Sequence, residues 1–232
     1  MIDTYLANLA YTYRHPALVK FFIWITLLGE WQIMAFVIFS LTAAFIIMKK
    51  KEYILPLYLS VGGSLIFSLL GKITIKRVRP EGFIPVYIED SFSFPSNHAA
   101  VALAMFGFLA YIFIKNIKNI KLKYWIIFSA LLIISAIGFS RMYLGVHYAS
   151  DVLGGYAIGI IWLMMSASYL RWKYKKNPTL MKNERISKHK KIALIFLVFI
   201  NIIFFIIVGS RIKPQIIKDG SVRIFTFSIN IV

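Results

Sequence analysis

Six stretches of this chain carry no formal charge over 16 to 19 residues each, and they restrict the fold more than any other feature. They run from Trp31 to Met48, Tyr53 to Gly71, Ala99 to Ile114, Tyr124 to Ser140, Val152 to Leu170 and Ile192 to Ser210. Crossing the ~30 Å hydrocarbon core of a bilayer takes about 20 apolar helical residues, somewhat fewer where interfacial residues complete the span. The whole chain is 59% hydrophobic and 16% charged, well outside the range of a soluble domain of 232 residues. The expected fold is therefore all-α, an integral membrane bundle of about six transmembrane helices. Trp31, Trp125 and Trp172 fall at or beside span ends, where an amphipathic ring is stable at headgroup level; plain packing is the alternative.

Ahead of the first span, Ile2, Tyr5, Leu6, Leu9 and Tyr13 recur at helical spacing, which predicts an interfacial amphipathic helix interrupted by Pro16. Residues 17–28 are apolar but short and include Lys20, so they read as interfacial or re-entrant. Fused to the first span they would make a helix longer than about 45 Å, and Gly29-Glu30 is the expected break. Past the last span, the end of the tail alternates weakly like a strand from Arg223 onward, with no evident partner. The organisation expected is an N-terminal segment 1–30, a transmembrane domain 31–210 and a tail 211–232, without repeats and without a cleavable signal peptide.

The 27 basic and 9 acidic residues give a net charge of +18. They cluster between the apolar runs, whereas a nucleic-acid-binding domain would spread them over one soluble face, so nucleic acid is not an expected partner. The bilayer is, and no obligate protein partner is evident. Tallied by alternating loops, one side collects sixteen basic residues and the other eleven, three of which have a chemical use argued below. The positive-inside rule makes the first side cytoplasmic and places the loops at 72–94 and 141–150 outside, in a multi-pass protein of the cell membrane. With no cysteine, disulfides, thiolate zinc sites and a cysteine nucleophile are excluded.

Three polar segments map to that outer face. In Lys72-Ile-Thr-Ile-Lys-Arg-Val-Arg79-Pro80, a helix continuing past Gly71 would return Lys72 and Arg79 to one face, two cations suited to a phosphate dianion, while Lys76 and Arg77 read as solvated headgroup anchors. In Phe94-Pro95-Ser96-Asn97-His98, a helix start is signalled. Its free amides and dipole, with Ser96 Oγ, could hold phosphate oxygens beside His98, although a histidine at a helix start is ambiguous alone. In Ser140-Arg141-Met-Tyr-Leu-Gly-Val-His147-Tyr-Ala-Ser-Asp151, the four-residue spacing lets Asp151 orient His147 on a helix, and Arg141 adds a third cation. A structural His–Asp pair is the bland alternative.

Together these segments resemble the type-2 phosphatidic acid phosphatase superfamily, whose signature is K-x6-RP, PSGH and SR-x5-H-x3-D. Every position matches except Asn97, where the family usually has Gly. If that position requires positive φ, Asn is the next most tolerant residue. The resemblance implies a metal-independent phosphohydrolase with a phosphohistidine intermediate and no cofactor. His147 would be the nucleophile, Asp151 its orienter and His98 the acid; Lys72, Arg79, Ser96, the amide of Asn97 and Arg141 would hold the phosphoryl oxygens. Three fixed cations would also repel a divalent ion from a His/Asp site. The expected substrate is a membrane lipid phosphate or diphosphate, undecaprenyl diphosphate first. A phosphotransferase using the same histidine, or a non-catalytic lipid-binding protein, are the alternatives.

Overall fold

A computed structural model describes residues 2–80, 86, 89–181, 187–210, 214–216 and 222–224. The first helix, α1 (Ile2–Thr12), buries none of its residues and leaves Ile2, Tyr5 and Leu9 exposed, as a helix lying on a membrane surface requires. It rests against two later helices of the bundle. Helix α2 (Pro16–Leu27) starts with Pro16 in the first turn, where the missing N–H costs nothing, and His15 caps it by accepting from the Ala17 amide. Helix α3 (Trp31–Ile47) follows after a bend of 42°, with the Glu30 carboxylate accepting from the Trp31 amide at its start.

The break expected at Gly29-Glu30 is thus present. Neither α2 nor α3 is long enough alone, and together they qualify by length and composition as one broken span or a re-entrant loop. Helix α2 is also more integrated than a surface segment: it buries Val19, Ile23, Thr26 and Leu27 and packs on a later span.

Five unbroken helices complete the set: α4 (Ile54–Ile75), preceded by a 3-10 turn at Lys51–Tyr53, α5 (Asn97–Asn116), α6 (Ile120–Tyr143), α7 (Ala149–Lys176) and α8 (Lys188–Ser210). Lipid tails are as apolar as Leu, so close packing and interhelical hydrogen bonds must hold such helices together. Helix α5 occupies the centre, against α4, α6 and α7. Its fully buried Ala99, Ala100, Ala102 and Ala104 let the neighbours approach. Ser60 Oγ on α4 donates to the Ala104 carbonyl at 3.0 Å and Ser166 Oγ on α7 donates to the Pro56 carbonyl at 2.6 Å. Leu57, Met105, Phe108 and Leu170 belong to the main hydrophobic core cluster.

Helix α8 stands apart, on α2 and α3 through Trp24–Phe205 and the stacked Phe36–Phe204 pair. Trp31, Trp125 and Trp172 are 67%, 65% and 57% exposed, which favours interfacial anchoring over core packing for all three. The tail corrects one expectation. Pro214–Ile216 (β1) pairs antiparallel with Val222–Ile224 (β2), Gln215 opposite Arg223, so the strand-like end has a partner in its own approach segment, paired through the backbone. The rest of that alternating stretch, 225–232, lies outside the described residues.

Candidate active site

The first polar segment reaches the site by a different route from the one its spacing suggests. Helix α4 ends at Ile75, and Lys76 adopts the left-handed conformation (φ 51°) as its C-cap. Arg79 is therefore beyond the helix, and a shared helical face does not explain its meeting with Lys72. Tertiary folding does. Lys72 Nζ and Arg79 Nη2 both donate to the Phe92 carbonyl, the latter at 3.4 Å. Arg79 also donates to the Ser91 carbonyl at 2.8 Å and the Val146 carbonyl at 2.6 Å, which fixes its planar fork beside the histidine of the third segment. Arg141, in the last turn of α6, is fully buried and donates to Thr26 Oγ at 2.8 Å. The Glu89 carboxylate lies between Arg79 (2.5 Å) and Arg141 and bridges them.

The second segment forms a helix start turned toward this cluster. Ser96 is the N-cap of α5, yet its hydroxyl makes no capping bond. Ser96 Oγ is completely buried and has no hydrogen-bond partner among the described residues. A buried unpartnered hydroxyl costs about 1–3 kcal/mol, which a bound anion would relieve. The helix is held in place from both sides. The Ser96 amide donates to the Asp151 carbonyl at 3.0 Å, and a side chain at Gly155 would put its Cβ 2.5 Å from the Ser96 carbonyl, so α7 can come this close only with glycine there. Asn97 begins the helix without positive φ, so left-handed tolerance plays no part at this position. Its side chain instead accepts from Ser68 Oγ at 2.6 Å, tying α5 to α4.

His98 stands in the first turn of α5, 3.9 Å from the Glu30 carboxylate at the α2–α3 bend. Gly29 permits that approach: a Cβ there would lie 2.7 Å from the His98 ring.

In the third segment, His147 precedes α7, which begins at Ala149, so its pairing with Asp151 comes from the cap of the helix and not from its regular face. Nδ1 of His147 lies 3.5 Å from Asp151 Oδ2 and 3.4 Å from Ser93 Oγ. Asp151 is fully buried and accepts from Ser93 Oγ (2.5 Å), the Tyr148 amide (2.8 Å) and Arg77 Nη1 (2.8 Å). Burial holds the His147 imidazole well below its ordinary pKa, and the cations Arg141, Arg79 and Lys72 push the same way against the opposing bond to Asp151. Burial and the cations thus favour the neutral ring. With the Nδ1 edge turned to the carboxylate, Nε2 is left as the nitrogen with a free lone pair.

The eight residues singled out by motif thus lie at one end of the bundle, Asn97 with its side chain turned to Ser68. Sequence reasoning missed several of their partners. Arg77, expected as a solvated anchor, instead contacts Asp151, because the left-handed turn at Lys76 swings the chain back over α7. Thr26, Glu30, Glu89 and Ser93 also join the cluster; the one signal for any of them was Glu30, an ionisable residue at a helix break.

A family model described as the PAP2 superfamily matches residues 53–176. Phosphatidylglycerophosphatase B of Bacillus subtilis is 33% identical over 160 residues, 68% of this chain and 78% of the relative. Lipid phosphate phosphatase delta of Arabidopsis thaliana is 28% identical over 72 residues, 30% of this chain and 17% of the relative. Among solved structures, the transmembrane PAP2-type phosphatidylglycerolphosphate phosphatase from Bacillus subtilis superposes with a TM-score of 0.67 at 30% identity, covering 79% of this chain and 87% of that one. LpxE of Aquifex aeolicus superposes at 0.54 with 29% identity, over 73% and 96%.

Proposed function

The chain belongs to the PAP2 superfamily and is a membrane lipid phosphatase, and on that premise we propose that it releases phosphate from a lipid phosphate through a phosphohistidine at His147, at a site facing the extracytoplasmic side. The observation that carries this reading is the buried His147, its Nδ1 3.5 Å from Asp151, among cations that favour its neutral form.

In the proposed first step, the Nε2 lone pair of His147 attacks phosphorus. The bond from phosphorus to the lipid oxygen breaks, its electron pair leaves with that oxygen, and His98 supplies the proton. Negative charge spreads over three equatorial oxygens in the transition state, where Lys72, Arg79, Arg141, Ser96 Oγ and the first amides of α5, that of Asn97 included, stabilise it. Asp151 offsets the positive charge that develops on the His147 ring. In the second step water attacks phosphorus and gives a proton to His98, the P–N bond breaks, and phosphate leaves. The chemistry assigned to these residues needs no cofactor.

Access favours a lipid substrate, because the site lies where the helices end and a headgroup can enter from the leaflet. Among lipids, phosphatidylglycerol phosphate ranks ahead of undecaprenyl diphosphate, because the Bacillus relative that spans most of this chain is named for the former. The test is phosphate release by purified protein in detergent with EDTA, over a panel of both lipids, phosphatidic acid and lipid A phosphate, with His147→Ala as control. Turnover lost in the variant, together with acid-labile phosphate trapped on the wild type, is expected. Equal turnover in both proteins would overturn the assignment of His147. Net transfer to an added lipid alcohol without phosphate release would favour a phosphotransferase.

A further inference from the structure

The carboxylate that orients His147 is itself held by a chain of charges reaching out to the surface helix. Asp3, in the first turn of α1, accepts from Arg77 Nη2 at 2.8 Å, from the Ser150 amide at 3.0 Å and from Ser150 Oγ at 2.5 Å. Arg77 in turn places Nη1 2.8 Å from Asp151 Oδ1 and 2.5 Å from Ser150 Oγ, with its guanidinium 4.3 Å from the centre of the Tyr148 ring. One planar fork therefore spans two carboxylates, one buried beside the nucleophile and one at the membrane surface. Asp3 itself is held below its usual range: burial raises it, and the hydrogen bonds from Arg77 and Ser150 outweigh that.

We propose that Arg77 and Asp3 are positioning residues for the phosphatase site, and that the N-terminal surface helix, through them, fixes the orientation of Asp151 and hence of His147. The proposal rests on the reading of His147 as nucleophile. Asp151 Oδ2 is shared among the Tyr148 amide, Ser93 and the His147 ring, so a rotation of the carboxylate about its own axis would release the ring. Arg77 on Oδ1 blocks that rotation from the far side. Arg77 alone is a partly exposed, rotamer-rich side chain, and the second carboxylate at Asp3 removes its freedom. The same geometry makes α1 part of the enzyme: seating its exposed Ile2, Tyr5 and Leu9 in the bilayer surface keeps Asp3 over Arg77.

A positioning role differs measurably from phosphate binding. For Arg77→Gln, kcat falls roughly tenfold or more while KM stays within about twofold, the pattern of an outer partner of a catalytic group. Loss of a phosphate-holding Arg would lower kcat and raise KM together. The pH profile adds a second signature. His147 faces the cations Lys72 on α4, Arg79 after α4 and Arg141 on α6, and the carboxylate Asp151 on α7; Arg77 reaches it through Asp151. Removing the Arg77 charge leaves Asp151 more negative toward the ring, so the acid limb of kcat/KM moves to higher pH. Asp3→Asn loses less activity than Arg77→Gln, Arg77→Lys recovers part of it, and Asp3→Asn/Arg77→Gln is no worse than Arg77→Gln, since one chain of contacts is cut twice.

The experiment is steady-state phosphate release in detergent micelles and in vesicles of anionic lipid for wild type, these variants and His147→Ala, with folding of each checked by size exclusion and thermal melting. If Arg77→Gln does not fold, the Asp3→Asn and Arg77→Lys pair carries the comparison. Additive losses, or a raised KM with an unmoved acid limb, would overturn the positioning role while leaving His147 as nucleophile. Loss of the nucleophile reading is separately visible as full activity in His147→Ala.

Discussion

At residue scale the site is defined by charges forced close together in a buried place. The depressed pKa of His147 is caused first by burial and then by three cations, so the neutral, nucleophilic ring persists to lower pH than an ordinary histidine near 6.5 allows. The acid limb of kcat/KM, which reports the free enzyme, is expected below that value, and a pH-rate series in detergent checks it. Glu89 bears on affinity. Its carboxylate uses donors of Arg79 and Arg141 that a phosphate would need, so substrate binding must displace it. Glu89→Gln is expected to tighten inhibition by inorganic phosphate severalfold, read as a lower Ki, with kcat changed less. His147, Asp151, Arg141 and Lys72 could be picked from the sequence because ionisable residues in a chain this apolar need a chemical reason. Arg77 could not, because basic residues after a span are usually anchors, and what recruits it is a carboxylate 74 positions away.

At the scale of elements, the helix starts and breaks do the positioning. The N-terminus of α5 leaves its buried Ser96 hydroxyl without a partner among the described residues, and α7 holds it close across Gly155. Gly155→Ala is expected to push the two helices apart, at a cost of about 1–3 kcal/mol in stability and with a loss of kcat larger than the rise in KM; thermal melting beside kinetics checks both. Asn97 shows how a motif can be legible while its reason is not. Its bond to Ser68, in place of any backbone demand, predicts that Asn97→Gly keeps the fold and loses modestly in stability, by about 0.5–1.5 kcal/mol for one hydrogen bond. The α2–α3 bend was also legible, since Gly29-Glu30 interrupts an apolar run too long for one helix. That the bend delivers Thr26 to Arg141 and Glu30 to His98 was not.

At the scale of the molecule, five unbroken spans and one broken pair carry the polar segments to a common end, and the proposed sidedness follows from loop charge alone. Cysteine labelling in intact cells checks it: Asp90→Cys, exposed at the site end, is expected to react with an impermeant reagent and Lys118→Cys to stay protected. The opposite pattern would place the site inside. The sequence alone made legible the membrane-spanning helical class, the grouping of three polar segments at one face and the side chains to which the reaction is assigned. It could do so because a bilayer tolerates so few charges that each exception stands out. How Arg79 reaches Lys72, which carboxylates accompany which cations, and that Asp3 of the surface helix is tied through Arg77 to Asp151 emerge from the packed fold. Those are contacts between residues tens to more than a hundred positions apart, set by how α1, α4 and α7 pack, and no local pattern of residues encodes them.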